Sequence, residues 1–244
     1  MASQAPAATS APWLVGVVSR PASVEAFASS PPDARVVDLL EVRVDLFDAP
    51  DVASWAAAAA RVEATGTPVL VTLRLAAEGG RWTRPDGERL ALYREALGFA
   101  SWVDVEASSP LARDVTTLAR ARGATSIVSH HDFARTPPLA ELERLVEDCR
   151  AVGADLPKLA TQVNGDAVRE ALLALAAAHA GRACVIGMGA SSSELRTLLP
   201  ARGSRFAYGY LDAATAPGQV SAVEMDARLR ASVPAYAARR AGGE

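Results

Sequence analysis

The chain holds 244 residues, 25 of them basic, and only one of these, Lys158, is a lysine. For surface charge the two basic side chains are interchangeable, but for covalent chemistry they are not. Arginine stays protonated, whereas a lysine desolvated in a pocket or set beside other cations loses its proton and attacks carbonyl carbon. The surroundings of Lys158, Asp155-Leu156-Pro157-Lys158-Leu159-Ala160-Thr161, read as a strand rather than a solvated helix face. Upstream, Ser129-His130-His131-Asp132 offers an imidazole, the side chain that exchanges protons near neutral pH, and strand alternation sends only one of the two rings inward. A carboxylate, Glu78, follows Arg74 in Arg74-Leu75-Ala76-Ala77-Glu78-Gly79-Gly80. An imine-forming lysine, a histidine and a carboxylate together point to carbon-acid chemistry, in which the iminium draws electrons while the imidazole removes an adjacent proton.

Such groups need a scaffold that gathers them. Short β-branched runs alternate with alanine-rich helical stretches along the whole length, the pattern of a parallel sheet covered by helices. Eight strands are predicted, at 14–18, 37–44, 69–73, 102–105, 126–129, 156–160, 183–187 and 205–208. Helices are predicted at 52–64, 89–100, 111–122, 139–152, 167–180 and 223–231, several followed by glycine. Eight βα units in a chain of this length fit an α/β fold, the (β/α)8 TIM barrel, whose active site is built at the C-terminal ends of its strands. An open doubly wound sheet is the second choice, but no Gly-x-Gly-x-x-Gly follows the first strand and no Walker motif occurs. The barrel is expected over 13–236, with a disordered tail at 1–12 and a frayed end at 237–244. Alternation in the second strand puts Glu41, Arg43 and Asp45 on one face, inward, against Leu40, Val42, Val44 and Leu46. The third strand adds Thr72 and Arg74, the fourth Asp104 and Glu106. Asp45, Asp104 and Glu106 serve equally well as support for a site or as buried ion pairs that hold the barrel.

Composition narrows the function. Half the residues are hydrophobic, 22% are charged and the net charge is −3 without a basic cluster, so the chain is read as a folded soluble protein whose partners are small molecules. Nucleic acid and anionic membrane are not expected. Cys149 and Cys184 form neither a disulfide framework nor a metal-ligand spacing, and the start of the chain lacks the basic and apolar segments of a secretory signal. A reducing, cytoplasmic location is expected.

At the residues singled out above, the sequence resembles the type I 3-dehydroquinate dehydratases, the Schiff-base class of the shikimate pathway, over nearly all of the chain beyond the tail. Five motifs carry the resemblance, in order: Glu41-Val42-Arg43-Val44-Asp45, Arg74 with Glu78-Gly79-Gly80, Ser129-His130-His131-Asp132-Phe133, Pro157-Lys158-Leu159-Ala160, and Ala216-Pro217-Gly218-Gln219. The resemblance implies that Lys158 forms an imine with the C3 ketone of 3-dehydroquinate. His131, the residue directly before Asp-Phe, would remove the C2 proton and protonate the departing C1 hydroxyl, giving 3-dehydroshikimate and water. Glu78 would orient His131. Glu41, Arg43 and Arg74 would hold ring hydroxyls, and Arg196 and Gln219 the carboxylate, with Thr215 where the family usually has serine. It also implies a homodimer, no metal and no organic cofactor, because protein groups supply both electron sink and base. Tyr208 stands at the position of the family's aromatic after the eighth strand and brings an extra hydroxyl, the turn after Met188 departs from the family's usual glycine-containing one, and the Ala216 to Gln219 loop reads as a lid. Two other readings compete. A class I aldolase also uses a barrel lysine, but the arginines suit a polyhydroxy acid better than a sugar phosphate, and a non-catalytic sensor would have no use for Lys158.

Overall fold

The computed structural model describes residues 11–48, 52–189, 192–214 and 218–242. Eight parallel strands, β1 (Trp13–Val18), β2 (Leu39–Arg43), β3 (Val69–Thr72), β4 (Trp102–Glu106), β5 (Thr125–Asp132), β6 (Leu156–Gln162), β7 (Cys184–Met188) and β8 (Phe206–Tyr210), pair in the order 7-6-5-4-3-2-1-8. Around them lie α1 (Pro21–Ser29), α2 (Ala56–Ala64), α3 (Asp86–Ala96), α4 (Ala112–Ala121), α5 (Leu139–Ala151), α6 (Asp166–Ala178), α7 (Leu195–Ala201), α8 (Ala222–Ser232) and α9 (Pro234–Gly242). This is the TIM barrel expected from the alternation of strand and helix patterns. It is nearly closed: where β7 meets β8, the Ser204 hydroxyl accepts from Val185 N–H at 2.9 Å and bonds its carbonyl at 3.1 Å.

The strands read as continuous apolar runs because both their faces are covered. Outward residues such as Val42, Val71, Val103 and Val128 are fully buried against the helices. Inward residues Val15, Leu39, Leu70, Ile127, Leu156, Cys184 and Phe206 form a second apolar cluster inside the barrel, with Trp13 and Trp102 packed against it. Two residues further along, alternation returns the chain to the interior, and there the character changes from apolar to polar: Leu39 gives way to Glu41, Leu70 to Thr72, Trp102 to Asp104, Ile127 to Ser129 and Leu156 to Lys158. The apolar plug closes one pole of the barrel and leaves the charged layer facing the other.

Three helices lie outside the predicted set. In α1 only Val24 and Phe27 are buried, and α7 is short with Pro200 inside it, so neither has a strong apolar period. The third is α9, which replaces the frayed end expected for 237–244 with ordered helix as far as Gly242. Its residues are tied down across the barrel's apolar pole. Arg239 donates to Asp38 at 2.6 Å and to the Pro12 carbonyl at 2.8 Å, and the buried Tyr236 donates to Asp226 at 2.7 Å. Of the expected tail at 1–12, residues 1–10 lie outside the described residues. Strand β2 also ends earlier than predicted, at Arg43; Asp45 sits on a 3-10 turn spanning Val44–Leu46, because Arg43 turns back to pair with it.

Candidate active site

The charged layer opens into a cavity of about 280 Å³ at the C-terminal ends of the strands. Glu41, Arg43, Arg74, Glu78, His131, Lys158, Arg196 and Gln219 all line it, so eight of the nine site residues expected from sequence share one cavity. The ninth, Thr215, lies outside the described residues, as do Ala216 and Pro217 of the expected lid.

Lys158 is 5% exposed on β6 and its Nζ lies 3.0 Å from Asp104 Oδ2. On another side the ring of Tyr208 faces the ammonium with its centroid 4.9 Å away, an arrangement that attracts a cation. Asp104 Oδ1 in turn accepts from Arg74 at 2.7 Å and from the Ser129 hydroxyl at 2.6 Å. Burial alone would raise the Asp104 carboxyl, but Arg74 and Lys158 outweigh it and hold it far below its ordinary 3.8. Arg74 also pairs with Glu106 at 2.9 Å and bonds Ser129 at 2.6 Å. Expected to hold substrate hydroxyls, it is a cavity wall and also the hub of this buried layer. Behind it the fully buried Arg89 pairs with Glu106 and donates to the Leu73 carbonyl at 2.9 Å.

His131 is oriented by Glu78. One Glu78 oxygen accepts from the His131 backbone N–H at 3.0 Å and lies 2.9 Å from ring Nδ1, which leaves Nε2 as the nitrogen available to a ligand. The other accepts from Ser108 at 2.5 Å. Burial, with Arg74 and Lys158 nearby, keeps the imidazole well below its ordinary 6.5, so it is neutral at pH 7 and able to take a proton. Burial raises Glu78 above its ordinary 4.5 against the pull of Ser108 and Arg74. The Glu-Gly-Gly sequence that delivers this carboxylate has a steric reason. Gly79 adopts φ +79°, and a Cβ there would stand 2.3 Å from the Phe133 ring, while one on Gly80 would stand 2.1 Å from the Arg74 carbonyl. Only glycine lets the chain fold back over Arg74 and bring Glu78 to His131.

On the remaining walls, Glu41 accepts from Thr72 at 2.7 Å and Arg43 forms a two-pronged pair with Asp45 at 2.9 Å for each bond. Arg196 comes from α7 and approaches the Gly218 backbone, next to Gln219. His130 is not part of the cavity lining.

A model of the type I 3-dehydroquinase family matches residues 22–233. The chain belongs to the type I 3-dehydroquinase family. It is 34% identical over 215 residues to the 3-dehydroquinate dehydratase of Methanothrix thermoacetophila, covering 88% of this chain and 90% of that one. To the enzyme of the same name from Methanosarcina barkeri it is 37% identical over 199 residues, 77% of this chain and 82% of the relative. In fold it is similar to a type I 3-dehydroquinate dehydratase from Clostridium difficile solved with covalently modified comenic acid. That match has a TM-score of 0.77 at 22% identity and covers 91% of this chain and 92% of the other.

Within this type I 3-dehydroquinase fold, sequence reasoning left undecided the residue that touches the lysine. Asp104 and Lys158 lie on strands separated by β5, so no neighbouring register links them. The available signal was Ser129, which pairs in register with Glu106 on one side and Lys158 on the other.

Proposed function

We propose that this chain dehydrates 3-dehydroquinate to 3-dehydroshikimate and water through an imine on Lys158. The observation that carries the reading is the conjunction of Lys158, His131 and Glu78 on one buried wall of a cavity, in a member of this family. Lys158 Nζ adds to the C3 ketone, whose oxygen leaves as water, and the resulting iminium draws electron density from C2. The neutral His131, held by Glu78, removes the C2 proton and then delivers it to the C1 hydroxyl as that bond breaks, a syn elimination. Water finally hydrolyses the imine and frees Lys158. Glu41 and Arg43 hold ring hydroxyls, with Arg74 behind them. Arg196 and Gln219 take the substrate carboxylate, with Thr215 supplying a hydroxyl to the substrate; the arginines suit a hydroxy acid better than the sugar phosphate of an aldolase, and a sensor would have no use for Lys158.

Reduction with borohydride in the presence of 3-dehydroquinate tests the reading: mass spectrometry is expected to locate the adduct on Lys158, and ultraviolet absorption to show the enone product. An unchanged mass with no enone signal would sink it. Lys158→Arg is expected to retain the fold by circular dichroism while turnover falls by at least about 10⁴-fold, because guanidinium does not become a nucleophile.

The finer features rest on the family resemblance and the thiols. Cys149 and Cys184 are free and buried, which suits a reducing cytoplasm. Among the described residues no helix is long and apolar enough to cross a membrane. The enzyme is read as a homodimer, which light scattering on the purified protein checks directly.

A further inference from the structure

Among the described residues, the carboxylate in contact with Lys158 Nζ is Asp104, at 3.0 Å and on the far side of β5 from the lysine. We propose that Asp104 is a catalytic residue, the fixed counter-ion that holds the lysine nitrogen as it passes from ammonium to iminium. The proposal rests on the imine reading above.

The two oxygens of Asp104 have separate tasks. Oδ1 is taken by Arg74 Nη2 at 2.7 Å and by the Ser129 hydroxyl at 2.6 Å, which fixes the carboxylate plane, and Oδ2 faces the nitrogen. Ser129 is placed for this by register, directly beside Lys158 on β5. With Asp104 1% exposed and its side chain held at one end by protein donors, it cannot swing away from Nζ as bulk water would.

Charge arithmetic shows why such an anion helps. Ammonium plus ketone gives iminium plus water by way of the neutral amine, the form that attacks: two of the three ammonium protons end on the ketone oxygen, which leaves as water, and the single N–H that remains donates to Asp104 Oδ2. One positive charge stands at the nitrogen before and after, so a preorganised anion serves both states without rearranging. The groups facing Lys158 agree with this assignment. His131 from β5 is neutral, Tyr208 from β8 presents its ring face, Cys184 from β7 is a buried thiol pushed up to about 11, Arg74 just past the end of β3 is bound behind Asp104, and Glu41 from β2 bonds Thr72. Because Arg74 and Lys158 keep Asp104 ionised, it does not compete with His131 as the base. Position of the charge and movement of the proton are thus assigned to different residues.

Borohydride reduces the iminium and not the neutral carbinolamine, so the rate of adduct formation on Lys158 reads the proposed step. In the full-length protein, Asp104→Asn is expected to slow trapping about a hundredfold at saturating 3-dehydroquinate, the scale seen when one preorganised electrostatic partner is removed. Ser129→Ala, which keeps the carboxylate but loosens it, is expected to slow trapping about tenfold with KM unchanged. Circular dichroism and melting accompany both. A folded Asp104→Asn protein that traps at the parental rate would overturn the proposal. If that variant does not fold, Ser129→Ala decides: a slowed rate at constant KM supports the role, and a parental rate overturns it. Absence of any Lys158 adduct in the parent enzyme would overturn the imine reading itself, and the counter-ion with it.

Discussion

The cavity has two unlike walls. From β2 to β6 every ladder is continuous, and the charged groups named above are bonded to one another: Glu41 to Thr72, Arg43 to Asp45, Arg74 to Asp104 and Glu106, His131 to Glu78, Lys158 to Asp104. At β7 and β8 the ladder gives way to a serine bridge, and the lining is Ile186, Gly187, Met188, Gly189 and Tyr208, with Arg196 and Gln219 reaching in. Burial and, after it, the like-charged Arg228 lower the Arg196 guanidinium below its ordinary value without discharging it, and an incoming carboxylate would offset that cost. Bond making needs groups fixed to a fraction of an ångström, so the covalent wall is locked by its own ion pairs. On the proposed reading, recognition falls to the second wall, where Arg196 and Gln219 line the cavity beside apolar residues and glycines.

If this division is right, variants on the two walls should differ in kind. The largest of these effects is expected for His131→Ala, a loss of about 10²–10⁴ in kcat with the imine still forming and accumulating, seen as undiminished borohydride trapping. Loss of trapping in that variant would mean the histidine also makes the imine. Arg196→Ala on the other wall should raise KM by about 10- to 100-fold and move kcat little, the signature of lost carboxylate binding. A kcat effect larger than the KM effect would erase the distinction between the walls.

The pH profile should sharpen the comparison further. Since His131 in the folded protein is held well below 6.5, the unfolded chain binds its proton first, and both activity and stability lie on the side of neutral His131. The acid limb of kcat/KM is therefore expected well below pH 6.5, while a limb at or above that value would contradict the buried, cation-flanked setting. Melting temperature should begin to fall as pH drops below 6.5, because folding must then displace the proton. Smallest of all, His130→Ala should change kcat by less than about twofold, as expected for a surface-side change away from the cavity. An inactive His130→Ala protein with active His131→Ala would reverse the two histidines.

Much of this was legible in the chain. All eight strands overlap their predicted segments, since a strand buried on both faces has to be apolar almost throughout. The inward direction of Glu41, Arg74, Asp104 and Lys158 follows from the two-residue period alone. What escaped had weak local signals: α1 with two buried residues, the short α7 with its internal proline, and α9, whose order comes from Asp38 and Pro12 some two hundred positions earlier. Asp45 left its strand because a pair with Arg43 competes with continued pairing to β3.

By itself, the sequence determined which chemistry was possible. A single lysine among arginines offered the amine, a histidine doublet an imidazole and a Glu-Gly-Gly turn a carboxylate, while the choice of His131 as base and Glu78 as its partner is what the family resemblance implies. Those are statements about side-chain type and short-range order, and side-chain type sets nucleophilicity while alternation sets the face. Only the tertiary structure decided which charges meet. Asp104 reaches Lys158 across an intervening strand, and Arg74 is drawn into a buried network with Asp104, Glu106 and Ser129. Such pairings depend on barrel closure and on the electrostatic demand that every buried charge find a partner, and neither condition is written into any local stretch of residues.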